Sequence, residues 1–148
     1  MLSSTPGPTG FRLRAISSNW LPVIAWMALI FVLSSQPLLP QAPDALLDGL
    51  LKKAAHFGEY LVLVMLLSRA LSPARGAVGW RVGALALGIA VAYAVSDELH
   101  QNFVPGRTPS PWDVAIDSLG AISGTLLFAR WQRYTLKRTL ITSPSRTT

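Results

Sequence analysis

The sequence has no cysteine, which excludes a disulfide framework, a thiolate metal site and a cysteine nucleophile. Charge is scarce too: 14% of the residues are Asp, Glu, Lys or Arg, against about 25% in a soluble domain. With 51% of residues apolar, that deficit speaks against both a soluble globule and a disordered chain. No internal repeat is visible, and no nucleophile elbow, H-E-x-x-H or phosphatase signature occurs. At 148 residues the chain has room for one domain but not for two ordinary ones.

What is present comes in blocks. Apolar residues fill four segments at about 20–39, 54–71, 77–96 and 112–129, each near the ~20 residues a helix needs to cross ~30 Å of hydrocarbon. Lipid offers backbone N–H and C=O groups no partner, so a spanning segment is helical or part of a closed barrel. Long apolar runs without period-two alternation select the helix. The expected fold is all-α, a four-helix transmembrane bundle. Residues 1–18 read as a disordered basic tail, 20–130 as the four-span membrane domain and 131–148 as a second basic tail. The first segment reads as an uncleaved span, because Ser34-Ser35-Gln36-Pro37 makes a poor cleavage site. Trp20, Trp80, Trp112 and Trp131 fall at segment ends, the interfacial positions that tryptophan favours.

The charges give the orientation. Arg12 and Arg14 precede the first segment; Arg69, Arg75 and Arg81 surround the second loop; Arg130, Arg133, Lys137, Arg138 and Arg146 follow the last segment. The first loop, with Asp44, Asp48, Lys52 and Lys53, is neutral, and the third connection, with Asp97, Glu98, Arg107, Asp113 and Asp117, is acidic. The positive-inside rule then puts both termini and the second loop in the cytoplasm. The net charge of +6 belongs to a surface facing anionic lipid headgroups, so the expected partner is the bilayer and not nucleic acid.

Ionisable groups at membrane depth are expensive, so those present are informative. His56 and Glu59 stand i, i+3 on one helix face; Glu59 either pairs with His56 or Lys52 or serves a site. Tyr93, Ser96, Asp97 and His100 share a face if the third helix continues. A carboxylate at a helix C-terminus opposes the macrodipole, so Asp97 needs a partner, Arg107 or Lys53, or a functional role. Pro105-Gly106 signals a turn with Gly at positive φ, in a proline-stiffened loop presenting Arg107. That guanidinium suits phosphate or carboxylate, or it pairs with Asp97, Glu98 or Asp113. Ser110-Pro111-Trp112-Asp113 fits a helix start with Ser as N-cap, which makes Asp113 a capping residue before a catalyst. Asp117, one turn deeper, has no such explanation. Gly120 and Gly124 below it allow close helix approach and would also serve dimerisation; Ala84, Gly88, Ala92 and Ser96 form a similar stripe, so the third and fourth helices are expected to pack through these faces.

At these residues the sequence resembles the VanZ-like family of small bacterial membrane proteins. The matching stretches are 53–60 (KAAHFGEY), 92–101 (AYAVSDELHQ), 103–107 (FVPGR) and 113–120 (DVAIDSLG). The resemblance implies a multi-pass protein of the bacterial cytoplasmic membrane, and the name-giving member is associated with reduced susceptibility to the glycopeptide teicoplanin. It carries over no biochemical activity.

All the unusual polar residues are expected on the outward side, in one pocket partly sunk in the membrane. Two functions fit. In the first, the protein handles or modifies a cell-envelope lipid or lipid-linked wall precursor. His56, Glu59, Asp97, His100 and Asp117 would then be the acid–base candidates, and Lys53, Tyr60, Glu98, Gln101, Arg107 and Asp113 the headgroup contacts. In the second, the same pocket binds and shields the precursor, or a lipid-tailed antibiotic, without chemistry. His56, Glu59, Asp97, His100, Asp113 and Asp117 also offer N and O donors for Zn, Mn or Fe, although the sequence names no cofactor.

Overall fold

A computed structural model describes the backbone of residues 8–37, 44–72 and 79–142 and the side chains of 18–37, 44–72 and 79–138. The expectations for residues 1–7 and 143–148 and for Arg75 lie outside the described residues. Four helices follow in order: α1 (Pro8–Ser34), α2 (Ala45–Leu71), α3 (Trp80–Gln101) and α4 (Pro111–Thr142). No strand occurs among the described residues. Three helices are long and apolar enough to cross a membrane, and the apolar stretch Ser18–Ser34 of α1 is shorter.

The helix ends follow local chemistry more than apolar runs. α1 starts at Pro8, inside the stretch expected to be a disordered tail. It stops at Ser34, short of residue 39, because Pro37 disfavours helical backbone in the residue before it. α2 begins nine residues ahead of its apolar run. Asp44 caps it by accepting the Leu47 N–H at 2.9 Å, and Asp48 pairs with Lys52 at 2.6 Å across one turn. That amphipathic start puts Lys52, Lys53 and His56 on regular helix. α3 continues through Gln101, and α4 runs on to Thr142, so the basic segment after residue 130 is helical as far as it is described.

α2 is the central helix. Tyr60, Leu63, Val64 and Leu67 are buried against Val23 and Ile30 of α1, Ala86, Ala90 and Ala94 of α3, and Ala121 of α4. Leu21, Ile24, Leu85, Leu119 and Leu126 point outward with more than half their surface exposed, an apolar exterior suited to lipid. The G-x-x-x-G face of α4 does pack, but on α2: a Cβ at Gly124 would stand 2.5 Å from the Leu61 carbonyl oxygen, and one at Gly120 3.0 Å from the Phe57 carbonyl carbon. The expected stripe of α3 is corrected. Ala84, Gly88, Ala92 and Ser96 are exposed, and the buried line is Gly83, Ala86, Ala90, Ala94 and Asp97.

The loop from α3 to α4 turns as expected. The Arg107 N–H donates to the Val104 carbonyl at 3.2 Å, and Gly106 has φ 81°. A Cβ there would lie 3.1 Å from the Pro37 carbonyl oxygen. Left-handed backbone costs a non-glycine residue about 1–2 kcal/mol, so Gly106→Ala is expected to lower stability by about 2 kcal/mol, measured by thermal unfolding in detergent.

Candidate functional site

A cavity of about 370 Å³ opens at one end of the bundle, where α1 and α3 finish and α2 and α4 start. Its polar lining comes from four places. Lys52, His56 and Glu59 form an i, i+4, i+7 stripe on α2, with Lys53 beside them. Asp97 and Gln101 come from the last turns of α3, Arg107 and Thr108 from the loop, and Asp113 from the first turn of α4; Ile30, Leu33 and Ser34 of α1 close the wall.

Asp117 lies just behind this lining and is 1% exposed. Its Oδ1 stands 3.1 Å from His56 Nδ1. A carboxylate only accepts, so Nδ1 carries the proton and Nε2 is the nitrogen left to bind or release one. Asp117 therefore fixes the tautomer and orientation of an imidazole that lines the cavity. The other carboxylate oxygen of Asp117 has no hydrogen-bond partner among the described residues. Asp97, also buried, accepts from Gln101 Nε2 at 3.4 Å and faces the Ser34 hydroxyl. That hydroxyl in turn accepts from Gln101 Nε2 at 3.0 Å. Lys53 stands 3.9 Å from Asp113, with about half of the lysine side chain exposed. Glu59 is half-buried, and its carboxylate makes no hydrogen bond or ion pair with another described residue. Its backbone carbonyl accepts from Trp26 Nε1 at 2.9 Å, which ties α1 to this turn of α2.

The structure places five of the expected residues differently. Arg107 pairs with none of the three acids. Its Nε donates to the Gln36 carbonyl at 3.1 Å and an Nη to the Leu33 carbonyl at 2.8 Å, which also takes the Gln36 N–H, so the guanidinium ties the loop to the end of α1. Glu98 is not part of the cavity lining. Its Oε2 accepts the Ser110 N–H at 2.8 Å, the bond that a capping box would assign to Asp113. Asp113 is thereby released to Lys53, while Ser110 Oγ accepts the Trp112 N–H at 3.2 Å. His100 stands apart from the His56 cluster: its ring stacks on Phe31, with centroids 4.6 Å apart, and Nε2 lies 3.0 Å from Ser35 Oγ. Tyr60 is fully buried against Tyr93, 6.3 Å between ring centroids, and lies outside the lining. Tyr93 shares the α1-facing side of α3 with His100, donating to the Met27 carbonyl at 2.7 Å.

The sequence reading missed Ser34, Lys52 and Thr108 as lining residues. Ser34 had no signal beyond being a hydroxyl at the end of an apolar run. Lys52 was hidden because the amphipathic start of α2 preceded the apolar block. Among the described residues no three His, Asp or Glu side chains are grouped to hold a metal ion. The arrangement sets the cationic side chains of Lys53 and Arg107 and the imidazole of His56 on one cavity wall, together with the carboxylates of Glu59, Asp97 and Asp113.

The model of the VanZ/LLP1 family matches residues 19–132, and the chain belongs to that family. No curated protein and no solved structure matches it.

Proposed function

We propose that this VanZ/LLP1 protein recognises the polar headgroup of a cell-envelope lipid or lipid-linked wall precursor in the cavity between α1, α2, α3 and α4, and that it thereby lowers susceptibility to teicoplanin. One observation carries the reading: side chains of both signs from three helices and a loop converge on one cavity of an otherwise apolar bundle. Desolvating so many charges is costly, and a packing role does not require it. The basic flanks support an outward placement of this cavity in a bacterial cytoplasmic membrane, the side on which lipid-linked wall precursors and glycopeptides meet. Lys53 and Arg107 supply donors for phosphate or carboxylate. Glu59 and the half-exposed edge of the cavity supply acceptors for sugar or peptide groups. His56, held by Asp117, adds a proton donor or acceptor at neutral pH.

Glu59→Gln is the cleanest test, because the change removes a charge and disturbs no hydrogen bond with another described residue. In a susceptible bacterium at matched membrane abundance, the wild-type protein is expected to raise the inhibitory concentration of teicoplanin. Glu59→Gln and Lys53→Ala are expected to return it most of the way to the empty-vector value. Purified wild-type protein should retain a polyprenyl-linked wall precursor that Glu59→Gln releases about tenfold more readily, the loss of one charged contact. Variants that protect and retain precursor like wild type would remove the cavity from the function.

A further inference from the structure

The opposite end of the bundle has a second cavity, of about 300 Å³, lined among others by Ser68 of α2, Gly79 and Trp80 at the start of α3, and Thr125, Gln132 and Arg133 of α4. Ser68 is 1% exposed, and its hydroxyl has no hydrogen-bond partner among the described residues. Ser118, Thr125 and Thr135 by contrast each donate to the carbonyl one turn back in their own helix, and Ser72, just past α2, donates to the Ser68 carbonyl. A buried hydroxyl left unpaired is destabilising; the Tyr60 hydroxyl is another, but Ser68 lines this cavity and so points to a partner that enters from it.

The surroundings specify an anion. Gly79 is the N-cap of α3 and has no side chain with which to cap it; its carbonyl takes the Val82 and Gly83 N–H groups, so the Trp80 and Arg81 N–H groups and the positive end of the helix dipole remain at the cavity wall that Gly79 and Trp80 line. Arg133 lines the wall, and Arg81 lies 5.6 Å from the Trp80 ring centroid. No carboxylate lies near. Among the acids of these helices, the last on α2 is Glu59, the first on α3 is Asp97 and the last on α4 is Asp117. The separation from Asp117 to Arg133 along the helix is about 24 Å. A cavity with a hydroxyl, a helix N-terminus and a guanidinium, at the level of an exposed tryptophan, has the makings of a phosphate site at the membrane interface.

We infer that this cavity binds a phosphate group, supplied by the headgroup of an anionic membrane lipid, between Ser68, the N-terminus of α3 and Arg133. The site is separate from the polar cavity at the other end and would stand if the reading of that cavity failed.

Native mass spectrometry of the detergent-purified full chain tests it, with phosphatidylglycerol, phosphatidylcholine and inorganic phosphate titrated separately. The wild-type protein is expected to retain phosphatidylglycerol at least about tenfold more strongly than phosphatidylcholine. Arg133→Ala should weaken that retention by about tenfold and Ser68→Ala by about fivefold, the sizes of one charged and one neutral hydrogen bond. Ser68→Ala removes a hydroxyl that has no partner among the described residues, so the lipid-free variant should melt no lower than wild type, which separates lost binding from lost folding. Inorganic phosphate displacing the lipid at equal concentration would keep the phosphate site and assign it to the free ion. Equal retention of both lipids by wild type with no phosphate binding, or full retention by both variants, would overturn the inference.

Discussion

Gly120→Ala is expected to lower the stability of the bundle by about 3 kcal/mol, at the upper end of ordinary overpacking, and Gly120→Val to stop the protein accumulating in membranes. The reason is what the new Cβ meets. At Gly120 it would overlap the Phe57 carbonyl oxygen and stand 3.1 Å from the Phe57 Cα, and at Gly124 it would meet the Leu61 carbonyl oxygen and Val64 Cγ1, both at 2.5 Å. These neighbours are mostly backbone of a regular helix, so no side chain can swing away, and relief requires α4 to move off α2. That movement would open the contact that buries Asp117, Ala121 and Val64 together. Gly88 is the control. It lies on the outward face of α3 with nothing within 4 Å of a built Cβ, and Gly88→Ala is expected to be neutral or to stabilise slightly, since glycine inside a helix costs about 0.5–1 kcal/mol relative to alanine. Thermal unfolding in detergent, followed by tryptophan fluorescence, compares the two. Equal melting temperatures for Gly120→Ala and Gly88→Ala would mean that α2 and α4 are not in backbone contact.

That pair of glycines also shows what the sequence could and could not reveal. G-x-x-x-G at 120–124, one turn below Asp117, marks the acidic face of α4 as its packing face without naming the partner. A matching row of small residues makes α3 the expected partner; α3 and α4 do touch, at Gly83 and Thr125, but the two glycines themselves meet α2. In truth α3 carries two such rows, offset by two positions, and small residues alone do not choose between them. The row that packs, Ala86, Ala90 and Ala94, is the one that leads on to Asp97 and Gln101. A carboxylate is costly against lipid, so the row ending in Asp97 has to face inward, and this argument was available from the sequence. The pairing of His56 with Asp117 was not, because residues 61 apart share a face only after the helices dock. The same holds for Glu98: the spacing Ser110 to Asp113 is right for a capping box, yet a carboxylate from a neighbouring helix met the N–H first. Local signals of capping, turn and apolar length were legible, whereas every partner crossing between helices needed the packing. The helix limits drifted for a related reason: Asp44 capping and the Asp48–Lys52 pair extend α2 through residues that no hydropathy run would include.

His56→Leu is expected to destabilise the protein by about 3 kcal/mol, the penalty for stripping the partner from a buried charge. Asp117 is the reason for so large an effect: its carboxylate is almost wholly enclosed, and among the described residues one oxygen has no hydrogen-bond partner and His56 supplies the only hydrogen bond made to the other. The reverse change should cost less. Asp117→Leu removes the buried charge itself and leaves an imidazole that reaches the cavity, so a loss of about 1–2 kcal/mol follows from imperfect packing alone. The double variant His56→Leu, Asp117→Leu should then be little worse than Asp117→Leu, because a buried ion pair replaced by apolar groups of similar volume is often neutral. The coupling between the two positions would exceed about 1.5 kcal/mol, whereas independent sites add to within about 0.5 kcal/mol. Chemical denaturation of the four proteins in detergent measures the cycle, and additivity would dissolve the pair. Function should divide differently from stability. If Asp117 acts only by orienting His56, the stable double variant is expected to give no more protection against teicoplanin than His56→Leu alone, while Asp117→Asn, whose amide oxygen still accepts the Nδ1 proton, keeps part of it. A double variant that is both stable and fully protective would show that the dyad is a folding device, and would leave recognition to Glu59, Lys53 and the remaining cavity wall.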